Sequence, residues 1–190
     1  MKNKKLEYFL KHALFAFITV VITVHAYVFY SLYVIHGELF MQQAGVNGVI
    51  NAINAMGGVP SFGTNLPIWA IVLIEFAFAY TLEMLVGSPA STKLASRVFN
   101  PEKTNPVIYE CAIICATVAI MCPSMSLIAA AIYYPYQFQA FNFWTFMAEW
   151  LKLVCYNFPF AFFTQLFFIQ PFVRTVFRAI FARKRGEAER

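Results

Sequence analysis

The sequence contains no aspartate, and charged residues make up only 12% of its 190 positions, against about 25% in ordinary globular domains. The net charge of +5 does not build a nucleic-acid surface, because the basic residues sit at the ends of apolar segments rather than on one soluble face. The four cysteines (Cys111, Cys115, Cys122, Cys155) all lie inside apolar runs, so no disulfide framework is encoded. There is no phosphate-cradling Gly-rich loop, no His-Glu-x-x-His and no nucleophile elbow, so an enzyme is the least favoured reading and no cofactor is expected. All eight glycines fall outside the expected spans, which leaves no Gly-x-x-x-Gly packing face. Ala112, Ala116 and Ala119 form the nearest small-residue seam.

Apolar sequence fills the space that charge vacates. Hydrophobic residues make up 61% of the chain, and 22 residues are Phe. A chain of this length cannot hide so much apolar surface in its own core, so lipid must solvate it. The last apolar run, Phe143 to Ile169, is followed by Pro171 and by a segment mixing Phe172, Val173, Val176 and Phe177 with Arg174 and Arg178, and then by Arg183, Lys184 and Arg185. A spanning helix and a basic amphipathic foot are the simplest reading.

Four spans are predicted: 13–35, 68–86, 107–134 with Pro123 inside, and 142–170 with Pro159 inside. Met1 to Lys5 resembles a signal-peptide start, but the apolar run behind it is too long and lacks a cleavage site, so a retained helix is expected. Gly87-Ser88-Pro89 is expected to end the second span, with a basic amphipathic piece from Lys93 to Phe99 beyond it, and Tyr134-Pro135-Tyr136 to end the third. The 36–67 connection is long and rich in Gly and Asn; residues 39–56 are expected to form a short surface helix, and whether it re-enters the membrane is left open. Thirteen of the fourteen Lys and Arg residues fall at the N-terminus, in the middle connection or in the C-terminal tail, the exception being Lys152. The expected location is therefore the plasma membrane, multi-pass, with both termini cytoplasmic and the basic segments on anionic lipid.

The chain reads as one unit written twice. Aligning Pro89 with Pro171 places Phe99 on Phe181, Glu83 on Gln165 and Glu75 on Asn157, and Thr19 falls on Thr117. The expected fold is an all-α integral membrane protein: two tandem hairpins in parallel repeat, residues 1–104 and 105–190, each followed by a short basic amphipathic segment. Asn157-Phe158-Pro159-Phe160-Ala161-Phe162, Pro171-Phe172-Val173-Arg174 and Met125-Ser126 resemble an uncharacterised bacterial membrane family filed as domain of unknown function 2798, whose two-helix unit often occurs in tandem. The first half departs from that pattern at Gly87-Ser88-Pro89-Ala90. The resemblance implies no activity.

Polar residues inside apolar spans are the candidate site, since each needs a partner or a water-filled cavity. His25, Glu75, Glu83, Asn157 and Gln165 make a candidate seam between helices, and Glu149 and Lys152, three apart, a candidate ion pair. Cys111, Cys115 and Cys122 lie on one stripe that suits either packing or a soft metal, and no His stands beside it. Two functions remain: a small ion or solute transporter or channel-like protein, acting as a homodimer, or a non-catalytic membrane partner such as a subunit, regulator or immunity-type protein.

Overall fold

The computed structural model describes residues 2–134 and 140–188. Pro135 and Tyr136, expected to end the third span, and the side chains of Lys2, Lys4, Arg183, Lys184 and Arg185 lie outside what is described. The chain is almost wholly helical, and four helices are long and apolar enough to cross a membrane: Lys5–Ile35, Ile68–Val98, Pro106–Ile132 and Phe143–Phe181.

The first rod is α1 (Lys2–Tyr30) closed by a π-helical turn, Ser31–Ile35. A cap follows: α2 (Gly37–Ala44), α3 (Val49–Ala55) and an antiparallel hairpin of β1 (Val59–Ser61) and β2 (Thr64–Leu66). The second rod is α4 (Ile68–Leu82), a π turn (Glu83–Gly87) and α5 (Ser88–Val98). α6 (Pro106–Ile132) is the third. The fourth is α7 (Phe143–Thr164), a π turn (Gln165–Ile169) and α8 (Gln170–Ala188).

Two expectations fail here. Gly87-Ser88-Pro89 does not stop the second helix, which continues to Val98. Proline clashes with the carbonyl four residues back, here Leu85. That carbonyl lies inside the π turn, whose wider winding relieves the clash, so the rod passes through. Pro171 stands in the same relation to Phe167 in the third π turn. Gly87 therefore lies within a helix rather than outside one. A Cβ there would come within 2.5 Å of Glu83 Oε2 and 2.8 Å of Met121 Sδ, so the missing side chain lets α6 approach. The second failure is the surface helix over 39–56, which breaks at Gly45 and Gly48, both at positive φ, into α2 and α3.

Each rod buries a stripe recurring about every fourth residue, as packing against neighbouring helices requires. α1 buries Val20, Val24, Val28 and Leu32, and α6 buries Val118, Cys122, Ser126 and Ala130. The second rod buries Ile71, Glu75, Ala79, Gly87 and Ser91; the fourth buries Leu153, Asn157, Ala161, Ile169 and Val173. The remaining faces carry Trp69, Leu73, Phe78, Leu85 and Phe167 outward, which only an apolar surround tolerates in such density.

α6 packs along α7 and α5, and α1 along α4. The amphipathic α8 returns to α1, where Phe15 and Phe177 meet edge to face at 5.5 Å. Arg174 on α8 pairs with Glu110 on α6 at 2.5 Å. The cap is packed, not loose. Phe40, Val49, Ala52, Ile53 and Val59 join the core of α1 and α4, and the Phe62 N–H donates to the Ile132 carbonyl at 2.7 Å, tying the β-hairpin to the end of α6.

Candidate functional site

Two voids lie along the bundle axis. The inner one, about 830 Å³, reaches from Glu75 to His12, Lys93 and Arg174 at the basic end. The outer one, about 740 Å³, lies beneath the cap between His36, Tyr133, Glu149 and Lys152.

Glu75, Glu83, Asn157 and Gln165 all line the inner cavity. Helix spacing explains this, because residues four and eight apart share a face. Glu75 sits in the buried stripe of α4, where its Oε1 accepts a 2.6 Å hydrogen bond from the Tyr133 hydroxyl. Asn157 occupies the corresponding place on α7 and donates its amide to Ser126 Oγ at 3.1 Å. Gln165 donates across the bundle to Thr23 Oγ1 at 2.8 Å. Glu83 accepts from Ser88 Oγ at 2.8 Å.

The π turns organise one of these contacts, Glu83 with Ser88, and two others like it. In each, the first residue meets the side chain five positions on: Ser31 with His36 (3.3 Å), Glu83 with Ser88, and Gln165 with Gln170 (3.5 Å). An α-helix brings positions three and four apart together; the wider turn shifts that register to five.

His25 is not part of this group. It faces outward from α1, its Nδ1 2.7 Å from the Val21 carbonyl of its own helix. Glu149 and Lys152 are 3.3 Å apart, about half exposed, on the outer cavity. His36 beside them is half-buried, and that desolvation lowers its pKa from the ordinary 6.5; the Ser31 carbonyl opposes that shift, and the Lys152 ammonium adds to it. Cys122 packs with Val118 and Ala161, Cys155 is exposed, and among the described residues no three His, Cys, Asp or Glu side chains gather to hold a metal.

Sequence reasoning missed Tyr133, Ser126 and Thr23. Tyr133 sits at a helix end, where aromatic residues usually mark a membrane interface. Ser126 and Thr23 were readable as hydroxyls four residues from other buried-stripe or seam positions, but hydroxyls usually bond their own helix, as Thr19 and Thr117 do. Chemically, the arrangement offers two carboxyls held by neutral hydroxyls and two amides, in a cavity that mixes apolar side chains with Ser and Thr hydroxyls and reaches His12, Lys93 and Arg174. Such groups can exchange protons or hold a small cation or polar solute.

No curated protein matches the chain, and no solved structure does. Residues 105–181, which comprise α6, α7 and most of α8, match the family described as a domain of unknown function (DUF2798), the family that the second half resembles in sequence.

Proposed function

We propose that this is a multi-pass plasma-membrane protein that moves a small ion or solute along its bundle axis. The observation that carries the reading is the inner cavity, lined by Glu75, Glu83, Asn157 and Gln165 among apolar side chains and hydroxyls, and reaching His12, Lys93 and Arg174. Polar groups at membrane depth are costly unless they serve a path or a partner. The placement of Lys and Arg supports cytoplasmic termini, with the basic segments against anionic lipid at about 1 kcal/mol for each cation. A homodimer would thicken the thin wall that four helices supply.

Two tandem units, residues 1–104 and 105–190, would build this path in parallel. The support is positional. Ile71 pairs with Leu153, Glu75 with Asn157, Ala79 with Ala161 and Ser91 with Val173 at one constant offset, and all are buried. The turns Glu83–Gly87 and Gln165–Ile169 fall at that same offset. On the other two rods Val20, Val24, Val28 and Leu32 pair with Val118, Cys122, Ser126 and Ala130.

The test is reconstitution in vesicles with a panel of monovalent and divalent cations, protons and small polar solutes, alongside thermal-shift measurements on the purified protein. Wild type should show flux, or a ligand-dependent rise in melting temperature of the kind a ligand at 100 times its Kd gives (about 2.7 kcal/mol), and Glu75→Gln should abolish it. Flux unchanged in Glu75→Gln would refute the role of the seam. No response in either protein would favour a non-catalytic membrane partner, sought as a co-purifying protein lost when residues 45–63 are shortened.

A further inference from the structure

The two cavities share no lining residue, and on three of the rods the lining changes from one to the other within about one turn. On α1 the lining passes from the inner cavity at Tyr27 to the outer at Ser31, with buried Val28 between. On α6 it passes from Ala129 to Ala130, and on α7 from Asn157 to Leu153. On the second rod, Glu75 lines the inner cavity and the fully buried Ile71 lies one turn beyond it. Tyr133 lines the outer cavity. The bond from the Tyr133 hydroxyl to Glu75 Oε1 therefore joins a residue of one cavity to a residue of the other.

Two polar pairs occupy this layer. Asn157 and Ser126 both line the inner cavity, so their bond does not bridge the two voids. Tyr133 to Glu75 does, and it also ties α4 of the first hairpin to the end of α6 in the second. The Tyr133 ring stands 6.2 Å from the His36 ring, on the outer side of the layer. The ring lines the outer cavity, and its hydroxyl reaches Glu75 of the inner one, so a rotamer change toward the outer void would break that bond.

We propose that Tyr133 is the gate between two vestibules, latched shut by its hydrogen bond to Glu75. This rests on the transport reading. Opening the latch joins the voids into one path along the axis, and closing it leaves the inner cavity open only toward the basic end.

Cys122 supplies a native reporter, because it lines the inner cavity. With Cys111, Cys115 and Cys155 replaced by Ala, labelling of Cys122 by a membrane-impermeant methanethiosulfonate is followed in right-side-out and inside-out vesicles. With Tyr133 otherwise intact, labelling should occur from the basic side alone. Tyr133→Phe keeps the ring and removes the latch, and labelling from the cap side should rise roughly tenfold, the effect on a two-state equilibrium of losing a hydrogen bond of about 1.4 kcal/mol. Tyr133→Ala should label from both sides. Glu75→Gln, whose amide oxygen still accepts from Tyr133, should stay one-sided.

Labelling of the parent from both sides, or from neither, overturns the proposal, as does one-sided labelling of Tyr133→Phe in protein that elutes normally on gel filtration. Two-sided labelling of Glu75→Gln would overturn the assignment to the hydrogen bond. The two readings fail separately. Flux with one-sided labelling throughout removes the gate alone; absent flux with a labelling change in Tyr133→Phe removes transport alone.

Discussion

Replacing Glu75 by Leu and by Gln separates a structural carboxyl from a working one. Glu75 lies in the buried stripe between Ile71 and Ala79, and its only hydrogen-bond partner shown is the Tyr133 hydroxyl at 2.6 Å. Leu fits the stripe but removes the acceptor and strands the part-buried phenol of Tyr133, at a cost of about 1–3 kcal/mol. For a chain of this size each kcal/mol lowers the melting temperature by roughly 2–4 °C. Gln keeps an acceptor for Tyr133, so Glu75→Gln should melt within about 2 °C of wild type, the equivalent of under 1 kcal/mol. The assay is thermal unfolding in detergent followed by tryptophan fluorescence, with flux measured on the same preparations. The expected pattern is Leu unstable, Gln stable, and both inactive. If Gln melts as low as Leu, the carboxylate charge itself holds the bundle and the hydrogen-bond argument is refuted. If Gln is stable and active, Glu75 is a packing residue only.

Gly58 has φ +138°, and a Cβ there would lie 2.6 Å from the Leu66 carbonyl oxygen across the β-hairpin. Gly58→Ala should therefore destabilise the cap by about 1–3 kcal/mol and speed proteolysis within residues 56–66, while the four rods keep their far-ultraviolet signal. His36 is half-buried with its pKa lowered, so the unfolded chain binds the extra proton first. Its contribution is complete above about pH 6.5 and is lost as pH falls below that value through the folded pKa. Melting temperature should drop between pH 7 and 5, and His36→Gln should flatten that slope; an unchanged slope would show that other groups set it.

Much of the architecture was legible in the sequence because a bilayer imposes simple rules. Spans of about 20 apolar residues, and the placement of every Lys and Arg but Lys152 in the connection and termini, need no tertiary information. That Glu75, Glu83, Asn157 and Gln165 gather in one place was also readable, since polar residues in apolar spans seek one another, and all four line the inner cavity. Helix stops were less legible. Pro89 looks like an end because proline breaks α-helical hydrogen bonding, and a π turn removes that objection only once neighbouring rods hold the helix in place. His25 shows the same limit. Its position within the apolar run was legible, but position along a helix says nothing about which way a residue faces, and it points away from the other polar groups.

Composition and periodicity by themselves determined that the chain is helical, apolar enough to cross a membrane four times, and polar at a few internal positions. Those follow from local physics: the cost of unpaired backbone in lipid and the repeat of the helix. Tertiary structure alone decided that Tyr133 meets Glu75, that Gln165 reaches Thr23, and that the long connection folds into a cap over α1 and α4. Those contacts join residues 58 and 142 positions apart, or bury a loop whose composition reads as exposed. Such distances close only when the helices have chosen their neighbours and their rotation, which no local pattern encodes.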